Sequence, residues 1–136
     1  MTPEQKTLVK TTFAQVAPMA DAVAEMFYGR LFEMDPSLRA LFKIDLHEQG
    51  KKLMQTLAVC VANLEHLDVI LPSVQALGKR HVAYGVVDAH YDTVGGALLW
   101  TLEKGLGAGF TPEVKEAWTT VYVTLSGVMK DAARAA

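Results

Sequence analysis

Residues 78–96 read GKRHVAYGVVDAHYDTVGG and contain two of the four histidines and two of the four tyrosines of the chain. His81 ends an apolar helical stripe that runs through Val74 and Leu77, and Tyr91 follows ten residues later. A histidine in this position either hydrogen-bonds a backbone carbonyl in the core or binds a metal. Spacing alone leaves both interpretations open, and the first is the commoner.

Helical periodicity extends outward from this stretch to both ends of the chain. Apolar residues recur every three or four positions, and neither an alternating strand pattern nor an Asn-Gly or Asp-Gly hairpin turn competes with them. We therefore predict an all-α fold of six to eight helices with short links.

Local signals predict where several of these helices begin and end. Helix starts are expected at Thr2–Pro3, with Gln5 in a capping box, at Pro72, at Thr111–Pro112, and after an Asp88 cap. A helix is predicted over residues 20–34, between Pro18 and Asp35–Pro36, and a loop is predicted over residues 105–109.

Composition limits the class of protein. The 136 residues, 51% of them apolar, suffice for one domain with a buried core, so we expect a single domain over 1–136. The formal net charge of −2, without a Lys/Arg run, argues against a nucleic-acid partner. A lone cysteine, Cys60, excludes an internal disulfide and a cysteine-based zinc site. No signal peptide or 20-residue apolar run is visible, and a cytoplasmic location is expected.

Two further polar residues lie at the edge of apolar stripes. Gln49 begins the stripe that continues through Leu53 and Leu57, and Tyr28 lies among apolar neighbours in MFYGRLF. Tyr28 is either a core tyrosine whose hydroxyl reaches the surface or a residue with a function. His47, His66 and His90 are expected to be exposed to solvent.

Five fragments then occur in a recognisable order: FYGRLF (27–32), DPSLRALF (35–42), GKRH (78–81), HYDTVGGALL (90–99) and EAWTTVY (116–122). Together they resemble the globin family, and in particular bacterial haemoglobins and the haem domain of flavohaemoglobins. The resemblance covers nearly the whole chain. It implies a three-over-three helical sandwich around non-covalent haem b.

The resemblance also implies roles for particular residues. His81 matches the proximal ligand of the haem iron, and Phe42 matches the phenylalanine that stacks on the porphyrin. Tyr28 and Gln49 match the distal pair that faces a bound gas, although His47 could take the place of Gln49. The expected remainder of the pocket comprises Leu53, Leu57, Leu77, Tyr91, Val94, Leu98 and Tyr122.

Reversible and tight dioxygen binding at a five-coordinate iron is the function that this resemblance implies, as an oxygen carrier or scavenger. The alternatives are nitric oxide dioxygenation with a separate NAD(P)H-dependent reductase, and gas or redox sensing or the binding of a ligand such as sulfide. Two departures favour binding over catalysis. We expect no reductase domain, and Ala133 stands where flavohaemoglobins have a glutamate that charges the proximal imidazole. A monomer or a homodimer is expected.

Overall fold

The computed structural model describes residues 1–42 and 45–134. Within these residues the chain forms six α-helices and no strand, which confirms the predicted fold class. The helices are α1 (Pro3–Val16), α2 (Ala20–Met34), α3 (Leu46–Ala62), α4 (Leu67–Ala83), α5 (Asp88–Leu106) and α6 (Pro112–Arg134). Short 3₁₀ turns cover Ala17–Met19, Pro36–Leu41 and Gly107–Gly109.

Two of the predicted helix starts are formed by the expected side-chain caps. The Thr2 hydroxyl accepts a hydrogen bond from the Gln5 amide at 3.1 Å, and the Gln5 side chain accepts one from the Thr2 amide at 3.0 Å. At α6 the Thr111 hydroxyl accepts from the Val114 amide at 3.2 Å. These bonds satisfy amides that the first helical turn leaves without partners, so both starts are encoded locally.

The prediction that Pro72 begins a helix is wrong, because Pro72 lies inside α4. Its missing amide deprives only the carbonyl of Asp68 of a helical partner, and Asp68 is in the exposed first turn. Ile70 and Val74 are both buried, and their burial keeps the first turns of α4 packed on the core.

The prediction that Asp88 caps α5 is also wrong. Val87 is the N-cap residue, and its amide donates to Nδ1 of His90 at 3.1 Å. Asp88 is the first helical residue, and its carboxylate pairs with Arg134 at 2.7 Å. His90 is therefore half-buried in a cap rather than exposed.

Of the loop predicted over residues 105–109, only residues 107–109 lie outside an α-helix. Gly105 and Leu106 complete the last turn of α5, and Gly107 ends the helix with a φ of 57°. This backbone conformation suits glycine, since it has no Cβ to clash with the neighbouring carbonyl.

The helices form two layers, with α1, α3 and α4 on one side and α2, α5 and α6 on the other. The layers meet where α4 packs on α6, α3 on α2 and α1 on α6. Trp118 of α6 is 2% exposed, and its indole nitrogen donates to the Thr12 hydroxyl of α1 at 2.8 Å. This bond satisfies the one polar atom of a large core side chain and fixes α1 against α6.

None of the helices in the described ranges combines the length and the apolar composition that a bilayer span requires.

Candidate functional site

Helix α3 carries two neighbouring stripes, of which only one belongs to the closed core. Gly50 and Met54 are buried, and a Cβ added at Gly50 would lie 2.8 Å from the Cβ of Ala24 in α2. The predicted stripe of Gln49, Leu53 and Leu57 is only half-buried. A half-covered apolar stripe beside a closed one is typical of a pocket wall for an apolar ligand.

Tyr28 and Gln49, the predicted distal pair, come together where α2 meets α3. Tyr28 is 5% exposed, so the interpretation that its hydroxyl reaches the surface is wrong. The hydroxyl donates to the backbone carbonyl of Gln49 over a long 3.5 Å. Burial raises the pKa of Tyr28 to about 12, and hydrogen bonding with the Gln49 side chain opposes this rise. His47 is exposed, as expected.

Three aromatic rings, those of Phe27, Phe32 and Phe42, pack around Tyr28. The Phe42 ring lies edge-on to Tyr28 at 5.4 Å and to Phe32 at 5.5 Å between ring centres, and Phe27 lies edge-on to Tyr28 at 5.0 Å. Edge-on packing favours one orientation of each ring. The cluster therefore holds Phe42, the expected porphyrin-stacking residue, against the expected distal tyrosine.

Arg39 is a residue of this cluster that the sequence analysis missed. Its Nη1 donates to the Phe42 carbonyl at 3.1 Å, its own carbonyl accepts from the Phe42 amide at 3.2 Å, and its guanidinium lies 5.8 Å from the centre of the Phe32 ring. The signal in the sequence is an arginine three residues before an aromatic residue in a short turn.

We expect Arg39→Met to lower the free energy of unfolding by about 1 kcal/mol, because it removes both a hydrogen bond to a carbonyl and a cation–π contact. Arg39→Lys keeps a cation near the Phe32 ring and should lose about half as much. Urea denaturation of both variants measures the difference. Equal stability of wild type and both variants would show that Arg39 does not support Phe42.

Nδ1 of His81, the predicted proximal ligand, lies 2.8 Å from the Leu77 carbonyl. Because a carbonyl can only accept, Nδ1 carries the proton, and in the neutral imidazole Nε2 keeps its lone pair. Burial lowers the pKa of His81, the Leu77 carbonyl opposes this change, and the Arg80 charge adds to it. The hydrogen bond of a core histidine is thus the same bond that would orient Nε2 as a ligand.

His81 belongs to no cluster of three or more protein ligands in the part of the chain that the structure describes. Within the described part of the chain, no three His, Cys, Asp or Glu side chains converge to hold a metal ion. A single imidazole therefore fits a metal whose other ligands come from a cofactor, and a porphyrin supplies four of them.

Tyr91 and Tyr122 stand behind His81. The Tyr91 ring stacks on the imidazole, with 6.4 Å between ring centres and 23° between planes. The Tyr122 hydroxyl donates to the Tyr91 carbonyl at 2.6 Å, and its ring lies where a side chain at Gly95 would have to be. Burial raises the pKa of Tyr122, so this donor stays protonated.

The Tyr91 hydroxyl is buried and has no hydrogen-bond partner among residues 1–42 and 45–134. Ala133, which stands where the resemblance places a glutamate, is half-buried, and Asp131 is exposed and bonded to Arg134 at 3.0 Å. An acceptor for the Tyr91 hydroxyl is therefore absent from the described residues around His81.

The remaining predicted pocket residues differ in burial. Leu77 and Val94 are half-buried, like the stripe of α3, whereas Leu98 lies in the closed core.

Gly78, another residue that the sequence analysis passed over, sets the position of α4, because a Cβ there would lie 2.5 Å from the Met129 carbonyl oxygen of α6.

Known proteins share both sequence and fold with this chain. A flavohemoprotein from Bordetella bronchiseptica is 35% identical over 133 residues, which are 95% of this chain and 33% of that protein. One from Vibrio cholerae is 28% identical over 96% of this chain and 34% of its own length. The chain thus spans about a third of the length of these curated relatives.

Solved structures show the same fold at lower identity. An engineered carbene transferase, based on a candidate nitric oxide dioxygenase of Rhodothermus marinus, superposes with a TM-score of 0.90 at 21% identity, over 99% of this chain and 94% of that one. A bacterial globin from Campylobacter jejuni superposes with a TM-score of 0.87 at 23% identity, over 98% and 97% of the two chains. The family model for globins matches residues 25–129, a span that includes both sides of the candidate site. By its sequence and by its two-layer fold, this chain belongs to the globin family.

Proposed function

We propose that this chain binds haem b non-covalently through Nε2 of His81 and takes up dioxygen reversibly on the side of Tyr28 and Gln49. Bound haem would be held by His81 and would supply the iron that binds a diatomic gas. The observation that carries the proposal is the bond from Nδ1 of His81 to the Leu77 carbonyl, which leaves one oriented imidazole nitrogen free. The half-buried apolar residues of α3, α4 and α5 support the proposal, since a porphyrin needs apolar walls.

The proximal hydrogen bond favours gas binding over catalysis. A backbone carbonyl is a neutral acceptor and leaves His81 a neutral imidazole, whereas a carboxylate acceptor increases the basicity of a ligating histidine. Asp131, the side-chain carboxylate nearest Ala133 in sequence, does not take this role, because it pairs with Arg134.

On the distal side Tyr28 is suited to donate to a gas ligand that carries partial negative charge. Its present hydrogen bond, 3.5 Å long, is weak, so a closer acceptor would compete with it successfully. With a pKa of about 12, the hydroxyl keeps its proton at neutral pH. The Gln49 side-chain amide supplies a second donor, and the Phe27 and Phe42 rings cover Tyr28.

We expect Tyr28→Phe to raise the dioxygen dissociation rate roughly tenfold to a hundredfold, since one hydrogen bond to a charged acceptor contributes about 1–3 kcal/mol. Stopped-flow displacement of dioxygen by carbon monoxide measures this rate. Tyr84→Phe keeps the ring that packs against His81 and removes only the hydroxyl of an exposed tyrosine, so it should leave the rate unchanged. An unchanged rate in Tyr28→Phe would show that Tyr28 does not bond to the ligand.

Nitric oxide dioxygenation is the second candidate function. In that reaction dioxygen, nitric oxide and one electron give nitrate, and the electron would come from a separate NAD(P)H-dependent reductase. The similarity to flavohemoproteins favours it, as does the Tyr28–Gln49 pair. Sustained NADH-driven nitric oxide consumption with an added reductase would support an enzyme. A single stoichiometric reaction with no turnover, tested with several reductases, would support a gas-binding protein.

The single-domain organisation, the cytoplasmic location and the monomeric or homodimeric state stay predictions.

A further inference from the structure

A positive charge lies next to Tyr91, the aromatic neighbour of His81. Nζ of Lys130, in α6, lies 5.6 Å from the centre of the Tyr91 ring, and the same ring stacks on His81. The three side chains therefore lie in a row. The row begins with Lys130 at the edge of the groove between α5 and α6, continues with Tyr91 and ends with His81, the candidate iron ligand. The proposed function uses His81 and leaves Lys130 without a role.

Two contacts fix the middle member of this series. The Tyr122 hydroxyl holds the Tyr91 carbonyl at 2.6 Å, and the Tyr122 ring packs against Gly95, where any larger residue would clash. Tyr91 is 7% exposed, so its ring is held between the imidazole and the ammonium with little room to move. The distance from Lys130 to His81 is consequently set by the packing of α5 on α6.

The charges around Tyr91 include carboxylates as well as Lys130, and burial, together with the Asp88 charge, raises the pKa of Tyr91. Asp88 and Asp131 both pair with Arg134, at 2.7 and 3.0 Å. Asp92 is exposed and lines the same groove as Lys130, but within the described ranges no carboxylate comes within 4.0 Å of the Lys130 ammonium. Lys130 is half-buried, so solvent screens its charge only in part.

We propose that Lys130 acts through Tyr91 as an electrostatic positioning residue that favours the ferrous over the ferric state of the haem held by His81. This inference rests on the proposed function. A positive charge on the proximal side opposes the additional positive charge of the ferric state. At a separation on the order of 10 Å and an effective dielectric constant near 20, one charge changes a one-electron equilibrium by roughly fifteenfold, and partial screening by solvent reduces this to about threefold to tenfold. The chain thus places a cation on the side of His81 where its flavohaemoglobin counterparts are expected to have a carboxylate.

Spectroelectrochemical titration of the haem-loaded full chain tests this inference. At a fixed potential, Lys130→Met should raise the ratio of ferric to ferrous protein about threefold to tenfold, and Lys130→Glu should raise it further. A tenfold change corresponds to a 59 mV lower midpoint potential for one electron. Lys130→Arg keeps the charge and should stay within about twofold of wild type.

Lys104→Met is the matched control. The ammonium of Lys104 lies 5.7 Å from the centre of the Trp100 ring, so its replacement by methionine removes the same kind of cation–aromatic contact at a place away from His81. Equal potentials for wild type, Lys104→Met and Lys130→Met would overturn the inference and leave haem binding intact. Wild-type protein that shows no Soret band with added haem would overturn the proposed function and this inference together. A low potential shared by Lys130→Arg and Lys130→Met would also overturn it, because packing rather than charge would then be the cause.

Discussion

Replacing His81 with alanine is expected to abolish stable haem binding. Nε2 of His81 is the one oriented imidazole nitrogen in the site, and the described residues offer no cluster that could take its place. Removing a group that merely orients a metal ligand costs about 10- to 100-fold in affinity, so loss of the ligand itself should cost more than 100-fold. Titration of the purified protein with haem, followed by the Soret band, measures the effect.

Free imidazole and a second histidine provide the controls for this prediction. Added imidazole should restore the Soret band of His81→Ala, because the substitution leaves a space of the right shape next to Tyr91. His66→Ala removes an exposed histidine at the start of α4 and should bind haem as wild type does. If His81→Ala bound haem with wild-type affinity and spectrum, the ligand would have to be another residue.

Gly78→Ala is expected to destabilise the fold by about 3 kcal/mol, the upper end of the usual cost of overpacking. The added Cβ would lie 2.5, 2.7 and 2.9 Å from the carbonyl oxygen, Cα and carbonyl carbon of Met129. These are backbone atoms of α6, so no side-chain rotation can relieve the clash and the two helices must separate. Because α4 carries His81, the same displacement should weaken haem binding. Urea denaturation of the protein without haem isolates the effect on the fold.

Gly29→Ala is the matched control for this substitution. Gly29 also lies inside a helix, α2, but a Cβ there meets no atom within 4 Å. The variant should therefore gain about 0.5–1 kcal/mol of stability, as is usual when alanine replaces a helical glycine. If Gly78→Ala proved as stable as Gly29→Ala, the close approach of α4 to α6 would be wrong.

The helices were predictable where the signal is local. The capping box of Thr2 and Gln5, the Thr111 cap and the bounds of α2 all depend on residues within four positions of each other. The predictions at Pro72 and Asp88 were wrong because non-local contacts decide the structure there. Burial of neighbouring residues keeps Pro72 inside a helix, and Asp88 bonds to Arg134, 46 residues away.

The candidate site was predictable only in part. The order of the motifs singled out His81, Tyr28, Gln49 and Phe42 through a resemblance, and the structure brings Tyr28 against Gln49 and Phe42. Periodicity alone could not choose between a core histidine and a ligand at His81, since both use the same Leu77 carbonyl. Tyr28 looked like a possible surface hydroxyl because a helical pattern shows which face is apolar but not how far a side chain is covered.

By itself the sequence determined the all-α class, the starts of α1 and α6 and both bounds of α2, because periodicity and capping act between near neighbours along the chain. Only the tertiary structure decided that Gly78 lets α4 approach α6 and that Lys130 stands over Tyr91. Both contacts join residues about 40 to 50 positions apart on different helices. Their geometry depends on the angle and position at which those helices cross, and the hydrophobic periodicity along the chain does not predict either.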